Sequence, residues 1–121
     1  MLLGSLYHIV ESSKEGKTYS AKVRFNAAHE IFKGHFPDLP VVPGVCHTQM
    51  LLETLSSLMG KPVEMKIAHH IKFLALLNPT KVQELTLEIK IDKEVGSDFF
   101  VSANYFTPEE VFFRFKGELT A

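Results

Sequence analysis

The segment GHFPDLPVVPGVCHTQMLLE, residues 34–53, decides the fold, because it joins a proline-rich loop to the start of the helix. Pro43 and Gly44 precede an apolar run that stops at Gly60. Proline before a helix and glycine after it are common boundary residues. The pattern therefore predicts a helix from Val45 to Met59.

Apolar side chains fill one wide arc of this helix when successive residues are spaced at ~100°. The arc contains Val45, Leu51, Leu52, Leu55, Leu58 and Met59. Cys46 and Met50 lie outside the arc, so apolar surface extends around much of the helix. We expect such a helix to be largely enclosed by the rest of the domain.

Alternating apolar and polar residues predict strands on both sides of the helix. These segments are LYHIVESS (6–13) and TYSAKVRF (18–25) before it, and EMKIAHHIKFLALL (64–77), ELTLEIKID (84–92), FFVSANYF (99–106) and VFFRFKGELT (111–120) after it. Turns are predicted at residues 14–17 and 107–110. Together the elements predict an α+β fold, with an antiparallel sheet curled around one central helix.

Length and composition predict one domain over residues 1–121. A formal net charge of -1 leaves no basic excess for a phosphate backbone, which argues against nucleic acid as a partner. The first ten residues lack a basic targeting region, and no apolar run approaches the ~20 residues of a membrane span. The single cysteine, Cys46, cannot form an intramolecular disulfide. These features favour a cytoplasmic protein.

Residues 34–37, Gly-His-Phe-Pro, are followed by Pro40 and by Pro43-Gly44 at the start of the helix. This pattern resembles the signature of the FabA/FabZ-type β-hydroxyacyl-acyl carrier protein dehydratases, which have the hotdog fold. The similarity extends over residues 6–25 and 71–91. The resemblance implies a (3R)-hydroxyacyl-thioester lyase of fatty-acid or related acyl-chain biosynthesis. Its substrate would be carried on the phosphopantetheine of acyl carrier protein or coenzyme A, with no further cofactor.

Within this resemblance, His35 is the base that removes the substrate C2 proton. An ordinary histidine pKa near ~6.5 suits that step at neutral pH. The alternative is a loop histidine bonded to the backbone. Gly44 and Val45 would offer helix N-terminal N–H groups to the thioester oxygen, where charge gathers. The simpler alternative is that Gly44 only permits the turn.

The expected general acid is missing from the sequence. In the family a Glu or Asp lies fourteen positions after the catalytic histidine, which here is Gln49. An amide can bind a hydroxyl or a water but cannot deliver a proton as a carboxylic acid does, and general-acid catalysis contributes typically ~10²–10⁴-fold. Glu53 is a possible secondary acid, although it is displaced by ~6 Å along the helix axis. Its alternative role is a solvated or helix-capping charge.

Other chemistry-bearing residues receive structural interpretations. His47 points to nearly the opposite side of the helix from Gln49, which argues against a second histidine acid. Cys46, at a helix start, could have a lowered thiol pKa, but a small buried packing residue is the simpler interpretation. His69 and His70 alternate across a strand and cannot both face one metal, so no metal site is predicted.

The family builds each site from two chains, which implies a homodimer or higher oligomer, or a heterodimer with a homologous subunit. Lys33, Lys66 and Lys72 are candidate charges at the site entrance, with ordinary solvated lysines as the alternative. Three functions remain open. The first is a dehydratase, or a hydratase in reverse, and the second is a non-catalytic or half-catalytic subunit that binds acyl chains or completes a site with a Glu-bearing homologue. A hotdog acyl thioesterase is a weaker third.

Overall fold

A computed structural model describes residues 1–34 and 40–121. Within these ranges the chain forms six strands and two helices. In chain order they are β1 (Tyr7–Glu15), β2 (Thr18–Phe25), α1 (Ile31–Gly34), α2 (Gly44–Met59), β3 (Glu64–Phe73), β4 (Glu84–Val95), β5 (Asp98–Phe106) and β6 (Val111–Thr120). All six predicted strands are present, and the main helix begins one residue earlier than predicted.

The six strands form one sheet in the order β1-β2-β4-β5-β6-β3, and every neighbouring pair is antiparallel. The β1–β2 and β4–β5 hairpins turn at Gly16 and Gly96, which have φ of 60° and 64°. Only glycine adopts this left-handed conformation without strain, so these two residues fix the turns. The hairpin between β5 and β6 lies at the predicted position.

Helix α2 packs on the inner face of this curled sheet. The Tyr7 hydroxyl lies 3.0 Å from Thr54 Oγ1, and the Tyr105 hydroxyl donates to the His47 carbonyl oxygen at 2.7 Å. Both tyrosines are fully buried. The strands at positions one and four of the sheet order, β1 and β5, thus hold the helix through paired polar groups in an otherwise apolar core.

Helix α2 is less enclosed within the single chain than its apolar surface predicted, because only part of the arc, including Leu51 and Leu55, is buried. The buried residues of the helix are Cys46, His47, Met50, Leu51, Glu53, Thr54 and Leu55. Cys46 and Met50, placed outside the arc, are in the core, whereas Val45 is 76% exposed. Leu52 and Met59 are only partly buried. The helix therefore carries a second apolar face that its own sheet does not cover.

The short helix α1 was not predicted. It follows a turn in which Asn26 Oδ1 accepts the Ala28 N–H at 3.1 Å, and His29 Nδ1 accepts the Ile31 N–H at 3.1 Å. Four residues are too few for an apolar period to be visible in the sequence. The Asn and His positions were the available signal, because such side chains bond the backbone locally.

Strand β3 lies at one edge of the sheet and pairs only with β6 within the described residues. Its register shifts twice along that pairing, between Met65 and Ile67 and again between Ala68 and His70. A Cβ on Gly117 would lie 2.4 Å from the Ile67 carbonyl oxygen. Glycine is therefore needed in β6, because the irregular edge strand approaches its backbone too closely for any side chain.

Candidate active site

The start of α2 presents unbonded N–H groups. Pro43 precedes the helix with φ -57° and ψ 147°, and no side chain among the described residues caps it. The Cys46 N–H already donates to the Pro43 carbonyl oxygen at 3.0 Å. The earlier N–H groups, on Gly44 and Val45, have no partner within the helix. Such groups can stabilise an oxygen on which negative charge develops.

The segment before α2 is fixed by the loop after β3. The Val42 N–H donates to the Leu77 carbonyl oxygen at 2.8 Å. The ring of Phe73, at the end of β3, lies over Gly44, and a Cβ on Gly44 would approach the ring Cζ to 3.0 Å. Gly44 therefore permits close packing and not only a turn. Sequence reasoning missed Phe73 because its strand-like alternation gave no sign that it reaches the helix.

His47 belongs to an aromatic cluster behind the first turn of α2. Its ring is stacked on Tyr105 at an interplanar angle of 7° and lies 5.0 Å from Phe113 and 5.3 Å from Phe73, measured between ring centroids. Nδ1 donates to the Pro43 carbonyl oxygen at 3.1 Å. Nε2 is buried and has no hydrogen-bond partner among residues 1–34 and 40–121.

Burial lowers the pKa of His47, although hydrogen bonds to backbone oxygens partly oppose this shift. The ring is therefore held neutral, with its proton on the nitrogen that faces Pro43. It is 3% exposed, whereas Gln49 lies on the exposed face of the helix. The two side chains point in different directions, as predicted, and the His47 contacts stabilise the helix start.

Gln49 lies one turn after Val45 on the uncovered face of α2. Both side chains are exposed within this single chain. Residues four apart on a helix are neighbours, so the Gln49 amide follows the open N–H groups along one face. This face can present an amide and two backbone donors to a ligand, but it carries no acid at the expected position.

Glu53 is a buried structural residue. It is 6% exposed, and its two carboxylate oxygens accept the Leu2 and Leu3 N–H groups at 3.2 and 2.9 Å. The interpretation of Glu53 as a solvated charge was therefore wrong. Glu53 lies one turn after Gln49, but its carboxylate is buried against the N-terminal segment, whereas the Gln49 side chain is exposed.

Cys46 is a packing residue, as the simpler interpretation held. Its side chain is buried in the core cluster, and burial raises the pKa of the thiol. His69 pairs with Glu118 at 3.4 Å. In the part of the chain that the structure describes, no group of three or more His, Cys, Asp or Glu side chains could hold a metal ion.

The three candidate entrance lysines lie in different surroundings. Lys33 is exposed on α1. Lys66 pairs with Asp98, which raises the pKa of the lysine. Lys72 lies in an outer cleft of the sheet, away from α2. The predicted base, His35, falls outside the described residues, so its position relative to Gln49 stays a prediction.

The chain is similar to known dehydratases in sequence and in structure. A model of the ApeI-like family, described as ApeI dehydratase, matches residues 11–108. The dehydratase heterocomplex ApeI:P from Xenorhabdus doucetiae contains a chain with the same fold, with a TM-score of 0.76 at 18% identity over 93% of this chain and 96% of that one. A protein of the thioesterase superfamily matches with a TM-score of 0.66 at 11% identity over 95% of this chain and 83% of its own.

Two curated relatives are named 3-hydroxyacyl-[acyl-carrier-protein] dehydratase FabZ. The protein from Syntrophobacter fumaroxidans is 32% identical over 66% of this chain and 58% of its own length. The protein from Pediococcus pentosaceus is 30% identical over 72% of this chain and 64% of its own length. The chain thus spans less than two thirds of these relatives. In the described residues no helix is both long and apolar enough to cross a membrane.

These matches confirm the predicted hotdog fold and the FabA/FabZ-type resemblance. The family match covers most of the sequence, including the candidate site from Gly34 to Gln49. The chain therefore belongs to the ApeI-like dehydratase family, within the hotdog superfamily.

Proposed function

We propose that this chain dehydrates a (3R)-hydroxyacyl thioester carried by acyl carrier protein or coenzyme A. His35 removes the C2 proton, and the N–H groups of Gly44 and Val45 stabilise charge on the thioester oxygen. The observation that carries the proposal is the helix start. Its N–H groups, which no described side chain caps, begin a helix that starts seven residues after Pro37 of the Gly-His-Phe-Pro segment and that also bears Gln49.

In this proposal Gln49 binds the departing C3 hydroxyl or a water and donates no proton. Without a carboxylic acid the rate falls below that of a complete dehydratase by up to ~10²–10⁴-fold. The reaction is an elimination in which the C2–H and C3–O bonds break, the C2=C3 bond forms and water leaves. Water supplies the proton for the leaving hydroxyl, because the amide cannot.

A second candidate function is a subunit that completes a site with a Glu-bearing homologue. The amide at position 49 favours it, since a chain without its own acid needs one from elsewhere. Strand β3 offers an edge for such a partner, and the name of the Xenorhabdus doucetiae relative describes a heterocomplex. No observation favours thioester hydrolysis, because the likeness to the thioesterase-superfamily protein shows the fold alone.

The decisive experiment measures conversion of 3-hydroxyacyl thioesters to 2-enoyl thioesters, and the reverse, by purified protein with His35→Ala as the variant. We expect the substitution to abolish turnover. His8→Ala, at an exposed histidine on β1, is the matched control and keeps the rate of the original chain.

Near-full activity of His35→Ala would remove His35 from the mechanism. If the folded original chain shows no turnover of either substrate, the subunit function replaces the dehydratase function. Activity that then returns on adding a homologue with Glu at the position of Gln49 would support that subunit function.

A further inference from the structure

A cleft of about 340 Å³ lies on the outer face of the sheet, across strands β5, β6 and β3. It is lined by His70, Lys72, Ser102, Ala103, Asn104, Arg114, Phe115 and Lys116. Its polar side chains form two rows across the three strands. One row runs Ser102–Lys116–His70 and the other runs Asn104–Arg114–Lys72.

This cleft concentrates positive charge in a protein whose formal net charge is -1. Lys72, Arg114 and Lys116 each carry one positive charge, and no lining residue is acidic. Lys72 is directly opposite Arg114 in the ladder, and His70 is directly opposite Lys116. Like charges directly opposite one another destabilise a sheet, so the pair of Lys72 and Arg114 costs stability unless an anion balances it.

The carboxylates near the cleft do not supply that balance. Those with described partners are Asp98 with Lys66, Glu118 with His69, and Asp92 with Ser102. Glu88, opposite Asn104 on β4, lies beyond the lining residues. Asp92 thus contacts the cleft through Ser102, but no described acid pairs with Lys72, Arg114 or Lys116.

The cleft lies on the other side of the sheet from α2. Along β5 and β6, the residues that alternate with its polar lining side chains are Ala103, Tyr105, Phe113 and Phe115, and the side chains of all four belong to the core, although Ala103 and Phe115 also border the floor of the cleft. Successive side chains of a strand point to opposite faces. The cleft is thus separate from Gly44 and Gln49, and its ligand need not be the reacting acyl group.

We propose that this cleft binds a phosphate group of a small anionic ligand. A guanidinium can bind two phosphate oxygens at once, and lysines act as point charges beside it. Asn104 adds a neutral hydrogen-bond donor, whereas the Ser102 hydroxyl already donates to Asp92. Three cations within one cleft match a compact, multiply charged anion better than the separated carboxylates of an acidic protein surface. The proposal does not depend on dehydratase activity.

The experiment titrates the whole protein with inorganic pyrophosphate by calorimetry at low ionic strength. Inorganic phosphate and adenosine 3′,5′-bisphosphate are titrated in parallel, and an acidic polyglutamate peptide serves as the protein-like anion. The variants are Arg114→Gln and Lys116→Gln. Lys93→Gln is the control, because it removes the same charge from an exposed position on β4 outside the cleft.

We expect saturable binding of pyrophosphate and a loss of affinity of about tenfold in each cleft variant, with little change in the control. Equal affinities for pyrophosphate and the bisphosphate would identify the phosphate group as the part that is recognised. Tighter binding of the bisphosphate than of pyrophosphate would identify a nucleotide-bearing source of that phosphate. Absence of saturation at millimolar pyrophosphate would overturn the proposal. An equal loss of pyrophosphate affinity in Lys93→Gln would also overturn it, because the binding would then depend on the overall charge of the protein. Binding of the polyglutamate peptide without binding of pyrophosphate would overturn it as well.

Discussion

At the scale of single residues, the proposed dehydration depends on the amide of Gln49. Gln49 replaces the carboxyl group that the family resemblance places fourteen positions after His35. Both oxygens of the nearest carboxylate along the helix, Glu53, already bind the N-terminal backbone. Glu53 can act as the acid only by releasing the Leu2 and Leu3 N–H groups. The described residues therefore leave the role of proton donor to water or to a partner.

The Gln49→Glu substitution tests this reasoning. Gln49 is exposed within one chain, so a second chain packed on this face would enclose it; burial then raises the pKa of a carboxyl group and keeps a useful fraction protonated. We expect turnover of a 3-hydroxyacyl thioester to rise by up to ~10²–10⁴-fold. Ser57→Glu, at an exposed position two turns further along α2, is the matched control and leaves the rate unchanged.

Three other outcomes have distinct meanings. A fall in activity would show that the amide orients the substrate or a water, and that a charge there is harmful. Absence of activity in both forms, with intact folding by circular dichroism, would favour the subunit function. An unchanged, substantial rate would show that Gln49 has neither role.

At the scale of elements, the start of α2 depends on a neutral histidine. Because burial lowers the pKa of His47 below that of the unfolded chain, the unfolded state takes up a proton that the folded state resists. Stability is therefore full above about pH 6.5 and falls as pH decreases below it, with a slope of up to ~1.4 kcal/mol per pH unit. Urea unfolding between pH 5 and 8 measures this slope.

The variant His47→Met keeps an apolar side chain of similar reach and cannot be protonated, so we expect it to lose the slope. His8→Gln removes an exposed histidine, and we expect this variant to retain the slope. Asp98, whose pKa is lowered by Lys66, acts only at more acidic pH and does not enter this window. Equal slopes in His47→Met and the original chain would contradict the role of His47.

The strands were predictable because each buries one face, which produces a period of two in the sequence. The face of α2 that meets the sheet was not predictable in this way. Val45 and Leu52 make one apolar stripe, whereas Cys46 and Met50 belong to the face that meets the sheet. Hydrophobicity alone cannot tell a face that meets the chain's own sheet from one that is free for another contact.

The candidate site was predictable only in part, for a similar reason. Gly44 and Gln49 follow from a local motif whose spacing is visible in the sequence. The roles of Phe73 and Tyr105 depend on contacts between residues distant along the chain. The role of Glu53 also depends on such a contact, because its partners are backbone N–H groups near the N-terminus. Backbone donors leave no pattern in side-chain identity.

At the scale of the whole molecule, exposed apolar groups concentrate on one side. Val45 lies on the uncovered face of α2, and Ile67, Ile71 and Phe73 lie along edge strand β3. One side of β3 pairs with no other strand of residues 1–34 and 40–121, and it offers backbone groups to a second chain. We therefore predict that two chains associate through β3 and the face of α2 that bears Val45.

Light scattering after size-exclusion chromatography measures this directly. We expect a mass of at least twice 13.7 kDa at micromolar concentration. Val45→Asp should shift the mass towards that of one chain, because the substitution buries a charge in the contact between chains. The fold of each chain should tolerate it, because Val45 makes little contact with the core of its own chain. Val95→Asp is the matched control. Val95 is similarly exposed but lies at the β4–β5 turn, so its substitution leaves the mass unchanged.

The outcome also separates the two proposed functions. If the chain associates with itself, the face of α2 that bears Gln49 meets the same face of the second chain. Position 49 then contributes one amide from each chain and no acid. If the purified chain has the mass of one protomer, self-association is contradicted. The exposed side is then free for a homologous subunit, and co-expression with a Glu-bearing homologue should yield a heterodimer that Val45→Asp weakens and Val95→Asp does not.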